Sequence, residues 1–445
     1  MQAYLEEKTR RVLPQLRIKV DTIVEIVCVT LIALMFISKL SLKWTKVVPY
    51  SIFPFVYQYG LSPYINFALN FISFPILFFI WVKKRNKVKQ NPLYIIYMYI
   101  LMGTLTIQTF LQIGLVNVSQ SASMQIGGLA IALVLLTMYG IIIPSLFPLE
   151  RFVEVIRKNA VLWVLLSLVL LPIFYPYFFR GGRFIGVFKH IPHMVSASTF
   201  AFIFFIPKVY ALRKDKQLKE SILDIVILFL LAVAVLLTAT KAAFVTILVV
   251  FLTATLLYGS KKKVTRVFKI FVISTLSLGI LLFGVPTAEF VYDVATGQKS
   301  FGMRPAQDGV ESRLDEVYRG IKMFQKEPVF GQGILYKFMG GDGVELDGYN
   351  SFKDPHNLFI SAAVIGGWPF LVLSIIGYFM MIIGTIKGLA QRSIYRQVLG
   401  LFLLSHLPVF IIYHVHLSLG GMGDRMYYLI FGYLAQIWPK SDQST

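Results

Sequence analysis

The run Asp354-Pro355-His356-Asn357-Leu358-Phe359-Ile360, followed by Gly366 and Gly367, puts an imidazole where a charged segment meets an apolar one. A histidine held at a water–lipid boundary can take a proton near neutral pH, so His356 has the chemistry of a general base. Asn357 beside it can hydrogen-bond a ligand hydroxyl or cap the helix that follows. Gly366-Gly367-Trp368-Pro369 then interrupts a long apolar run, where a kink or break is expected.

Cations gather at three other places. The loop Phe179-Arg180-Gly181-Gly182-Arg183-Phe184-Ile185-Gly186-Val187-Phe188-Lys189-His190-Ile191-Pro192-His193 carries Arg180, Arg183, Lys189, His190 and His193, with glycines that let backbone approach a ligand closely. Lys241 follows Thr238-Ala239-Thr240 within an apolar stretch from 221 to 258. At about 1.5 Å per residue that stretch would be roughly 57 Å as one helix, so it must fold back, with Lys241 in the first turn of the second arm. Lys241 is then either a snorkelling interfacial lysine or an anion clamp at a helix N-terminus. The third place is Arg313. Leu314, Val317, Tyr318, Ile321 and Phe324 repeat at helical spacing, Ser312 and Asp315 resemble a capping box, and Pro328 and Gly331 close the segment. An amphipathic helix near 313–326 is therefore expected, with Arg313 at its first turn beside the apolar stripe. A cation there opposes the macrodipole, and a ligand phosphate would reverse the sign. Arg319 points away and reads as a solvated face residue.

The elements that must position these groups are membrane helices. The chain has 445 residues, 57% of them hydrophobic and 15% charged, which marks an all-α polytopic membrane protein. Twelve segments have spanning length: about 20–39, 63–82, 93–115, 124–143, 160–178, 194–211, 221–239, 241–258, 267–285, 357–386, 397–414 and 422–437. This divides the chain into helices 1–9 over 1–285, a large external loop over 286–355, and helices 10–12 over 356–445. With the N-terminus inside, the inward segments hold 27 of the 43 Lys and Arg, and 286–355 carries 8 Lys/Arg against 11 Asp/Glu. Both termini are thus expected to be cytoplasmic, with one large outer loop. The first helix is expected to be retained, since no small-residue cleavage pattern follows it.

Other classes recede on the same evidence. A net charge of +21 invites a nucleic-acid reading, but the cations lie in short clusters between apolar runs and suit topology and acidic lipid headgroups. The single cysteine, Cys28, rules out an internal disulfide and any multi-cysteine metal site. Asp21 and Glu25 read as interfacial, and His406, His414 and His416 as packing or lining residues. The loop acids show no pairing of the glycosidase kind.

Four segments, in order, resemble the bacterial O-antigen ligase and O-antigen/capsule polymerase superfamily. GGRFIGVFKHIPH is similar to its R-x-x-G-x-F-x-x-P-N segment, with His193 where asparagine is usual. TATKAAFV is similar to its S-R-G-x-x-L turn, with Lys241 for arginine, which keeps the charge and loses bidentate phosphate geometry. SRLDEVYRGIKMFQKEPVFGQG resembles S-G-R-x-x-x-W…P-x-x-G-x-G, retaining Arg313, Pro328, Gly331 and Gly333, with Val317 for tryptophan. PHNLFISAAVIGG resembles P-H-N-x-x-L…G-x-x-G, keeping His356, Asn357 and Gly367, with Phe370 at the second glycine. The resemblance covers roughly 180–370.

It implies a GT-C-like, cofactor-free and metal-independent glycosyltransferase of the bacterial cytoplasmic membrane, with its active site on the outer face. The donor would be an undecaprenyl-diphosphate-linked oligosaccharide and the acceptor a sugar hydroxyl, on a lipid-linked repeat unit or on lipid A–core. Partners would include membrane lipids and other polysaccharide-assembly membrane proteins, and no nucleic acid. His356 and Arg313 would be catalytic; Lys241, Arg180, Arg183, His193 and Asn357 would bind diphosphate or glycan. A repeat-unit polymerase is favoured over a ligase. A flippase or transporter of lipid-linked oligosaccharide is the reading from another class, and it would call for mid-membrane charge and paired repeats, which the sequence does not show.

Overall fold

The computed structural model describes residues 2–40, 63–84, 91–115, 122–180, 183–215, 218–258, 320–333, 357–391, 393–412 and 422–435. The helices are α1 Gln2–Ile37, α2 Pro63–Lys84, α3 Pro92–Leu115, α4 Ala122–Leu135, α5 Ile143–Leu146, α6 Leu149–Phe174, α7 Ile191–Asp215, α8 Leu218–Leu237 and α9 Lys241–Tyr258. A short helix α10 covers 320–326, followed by α11 Leu358–Ala390, α12 Ile394–Ile412 and α13 Met422–Ala435. Strands β1 Phe179–Arg180 and β2 Arg183–Phe184 form a small hairpin.

These helices fall on eleven of the twelve apolar segments; the segment 267–285 and most of 286–355 lie outside the described residues. Among the described residues, five helical stretches are long and apolar enough to cross a membrane: Val20–Ile37, Pro92–Gly114, Gln125–Leu146, Leu149–Phe174 and Leu358–Ala390. The fold is thus that of an all-α membrane protein. Large apolar side chains left exposed, among them Val169 and Ile173 of α6 and Ile107 of α3, face outward as a lipid-facing surface requires.

Some boundaries differ from the hydropathy reading. Helix α6 begins at Leu149 and ends at Phe174, whereas the apolar segment was 160–178, because hydropathy marks the membrane and not the hydrogen-bond ladder. Between α4 and α5 the ladder loosens to a π-helix over Leu136–Ile142, with Ile143 N–H donating to the Met138 carbonyl. Its Tyr139 is fully buried and donates to Asn70 Oδ1 at 2.8 Å, while Tyr94 OH donates to the Gly140 carbonyl at 2.9 Å.

Ion pairs and hydrogen bonds tie helix ends together. Lys84 of α2 meets Asp21 of α1, and Arg151 of α6 meets Glu25 of α1 at 2.7 Å and Glu154 at 2.8 Å. The ends near residues 21–25, 84 and 151 therefore share one side of the bundle. These pairs are largely exposed, so each contributes under about 1 kcal/mol. At the other end of α1 the Lys189 N–H donates to the Lys39 carbonyl at 3.0 Å, and Leu40 bridges Phe188. Aromatic rings join α6, α7, α12 and α13: Phe152 lies 4.5 Å from Tyr433 and Phe204 6.0 Å from Phe402, centroid to centroid. His406 stacks on Phe402 at 4.0 Å, which makes it a packing residue; His414 and His416 lie outside the described residues.

Candidate functional site

The basic hairpin is built on buried aromatics. Phe178, Phe184 and Phe188 are fully buried, and the Ile185 N–H donates to the Phe178 carbonyl at 2.8 Å. Gly186 holds φ +53° so that the chain can turn against α6, where a Cβ would stand 2.5 Å from Ser167 Cβ. The register sets Arg180 opposite Arg183 across the strand pair. The β2 strand packs against α7 and α8, and α8 leads into the turn before Lys241.

His193, just ahead of the span in α7, is not one of the cations. Burial, aided by the nearby charges of Lys39, His190 and Lys189, pushes its imidazole down to about 3. It is neutral at pH 7 and can act by hydrogen bonding, not by charge. The structure adds Lys39 to the cluster, which the sequence reading missed. Lys39 and His193 are about 150 residues apart in the chain, and the Leu40–Phe188 bridge that brings their segments together has no local signal.

The turn before Lys241 forms where chain length required it. Thr238 and Ala239 N–H close onto the Val235 and Leu236 carbonyls, Ala239 takes φ +49°, and α9 starts at Lys241. The side chains of Lys241 and Arg180 lie outside the described residues, as do Arg313 and His356 entirely.

Asn357 caps α11. Its backbone is extended (φ −141°, ψ 127°), and its Oδ1 accepts from Phe359 N–H at 3.0 Å and Ile360 N–H at 3.1 Å. This satisfies two of the otherwise orphaned donors at the start of α11.

Helix α11 is broken where the glycines predicted. Gly366 (φ −137°, ψ 23°) and Gly367 (φ 65°, ψ −156°) leave helical geometry. Trp368 N–H is turned away to the Pro328 carbonyl at 2.8 Å, and Pro369 has no N–H, so the Val364 and Ile365 carbonyls lose their helical donors. The loop 328–333 replaces them: Gln332 N–H donates to Val364 at 2.6 Å and Gly333 N–H to Ile365 at 3.0 Å. Gln112 of α3 donates from Nε2 to the Phe330 carbonyl and, at 3.0 Å, to that of Ile365; Gln108 Nε2 donates to Val329 at 3.3 Å. Phe324 of α10 packs edge-on against Trp368 at 5.2 Å. Two motif segments, Pro328-x-x-Gly331-x-Gly333 and Gly366-Gly367, are thus one interlocked unit. It ties the helix that follows Arg313 to the helix that follows His356.

Fold and site define a multi-pass membrane protein whose loop 328–333 is docked into a broken membrane helix. Residues 226–375 match a family model described as O-antigen ligase. Over those residues the chain is similar to the O-antigen ligase and polymerase type of membrane protein, in agreement with the resemblance read from its motifs. The match encloses Lys241, Arg313, His356 and the interlocked unit; the Arg180–His193 loop lies outside it. No curated protein matches this chain.

Proposed function

We propose that this protein transfers a glycan from undecaprenyl diphosphate to an acceptor sugar hydroxyl at the outer face of the cytoplasmic membrane, as a surface-polysaccharide repeat-unit polymerase. The observation that carries this reading is the family match over 226–375, together with the docking of the Arg313-side loop onto the His356-side helix. Diphosphate gains charge as the glycosyl bond breaks, so fixed cations favour the transition state over the ground state. Arg313, Lys241, Arg180 and Arg183 would supply that charge, with no metal ion or cofactor required. His356 would take the proton of the acceptor hydroxyl, worth typically 100- to 10,000-fold in rate. Neutral His193 would hydrogen-bond the glycan, and Asn357 would fix the approach of His356 through its cap.

The test is purified protein with a lipid-diphosphate oligosaccharide and an acceptor. A new glycosidic linkage supports an enzyme, whereas relocation of donor across vesicles without linkage supports a transporter. His356→Ala is expected to abolish transfer while expression and insertion persist; retained turnover removes His356 from the base role. Ligation to lipid A–core is the second reading, favoured by the family description itself. Offering lipid A–core and a lipid-linked repeat unit side by side separates the two.

A further inference from the structure

Gln112 is 1% exposed in α3, yet its amide reaches carbonyls of two other segments more than 200 residues away in the chain. Both carbonyls belong to the interlocked unit: Phe330 on the loop, Ile365 at the helix break. Ile365 lost its helical donor to Pro369, so Gln112 and Gly333 together restore what the break removed. Gln108, one turn away, adds the contact to Val329. Space around the joint is minimal, since a Cβ on Gly331 would stand 2.6 Å from Ile365 backbone atoms. The segment 357–365 thus hangs between its cap at Asn357 and this joint, about 12 Å further along the axis.

We propose that Gln112, seconded by Gln108, is a positioning residue for glycan transfer: its amide holds loop 328–333 in the break of α11. That sets the orientation of segment 357–365, which follows His356 in the chain, relative to α10, which follows Arg313. The inference rests on the glycosyltransferase reading above. Gln112 does not touch the reacting atoms; it acts through the joint.

The isosteric Gln112→Met keeps volume and removes both donors. It is measured in the full-length protein with a polyprenyl-diphosphate oligosaccharide purified from the host membrane. Turnover is expected to fall about 10- to 100-fold, the size typical of sub-ångström to 1 Å misplacement, with donor KM within about twofold. Hydrogen exchange at the amides of Gln332, Gly333 and Trp368 is expected to quicken. Gln108→Met, which loses a single longer bond, should show the same pattern at a few-fold. It carries the test if Gln112→Met does not fold. Faster exchange with unchanged kcat, or unchanged exchange and kcat, overturns the positioning role. So does a loss that appears in KM alone. A wild type that forms no linkage with any acceptor overturns the glycosyltransferase reading and the proposal with it, whereas an active wild type with a fully active Gln112→Met overturns the proposal alone.

Discussion

Two adjacent glycines in α11 should respond very differently to the same added methyl group. Gly366 has a backbone that any residue adopts, and its Cβ would meet the Phe370 ring, nearest atom 2.4 Å. That ring is fully buried but carries no backbone hydrogen bond of the joint, so Gly366→Ala is overpacking, worth about 1–3 kcal/mol. Gly367 sits at φ 65°, ψ −156°, a region essentially reserved for glycine, where an alanine costs about 1–3 kcal/mol in backbone strain. Its Cβ would also stand 2.3 Å from the Val329 carbonyl oxygen and 2.5 Å from that of Pro328. Those atoms can retreat only with the loop, which gives up the Trp368–Pro328 and Gln108–Val329 hydrogen bonds at about 1 kcal/mol each. Gly367→Ala should therefore cost about 3–5 kcal/mol, roughly 2 kcal/mol more than its neighbour. Thermal unfolding of both variants in one detergent, followed by size-exclusion recovery, measures the order. Equal losses, or a larger loss at Gly366, would refute the interlocked joint as described.

Two further perturbations test other parts of the fold. His193 is held neutral with its pKa down at about 3, against about 6.5 when unfolded, so its contribution to stability is full above the unfolded value and is lost as pH falls from there towards 3. Across that window unfolding free energy should drop more steeply in the wild type than in His193→Phe, by at most about 1.4 kcal/mol per pH unit; parallel curves would contradict the burial. Asp224 of α8 is 3% exposed and pairs with Lys208 of α7 at 2.8 Å. Lys208→Met should destabilise by about 1–3 kcal/mol, Lys208 being partly exposed, and Asp224→Asn in the same background should recover part of it, as a double-variant cycle would record.

Much of the fold was legible because membrane spans announce themselves by length and because glycine and proline mark breaks. The Thr238–Thr240 turn followed from arithmetic alone, a stretch too long to span once. The break at Gly366-Gly367 followed from residue type. The π-helix at Leu136–Ile142 had no such mark: in a segment apolar on every side, no stripe exists whose period could shift. Lys39, Gln108 and Gln112 stayed hidden for another reason, since each meets its partner only through tertiary packing. Asn357 offered two roles, and only hydrogen-bond geometry shows that its oxygen serves the helix. The nearly buried Arg425, with its guanidinium carbon 5.5 Å from the Tyr139 ring centroid, also escaped notice, being a lone cation near the start of the last helix.

The joint between Pro328 and Trp368 also sets where this polypeptide can be recombined. Grafting the 286–355 segment from a relative, to change what is recognised, would normally cut just before His356, where the charged sequence gives way to an apolar one. Such a cut separates the Gln332 and Gly333 N–H donors from the break they complete and leaves the Val364 and Ile365 carbonyls without them. A transplant that carries 328–368 as one piece keeps both halves matched, so the swappable unit reaches a third of the way down α11.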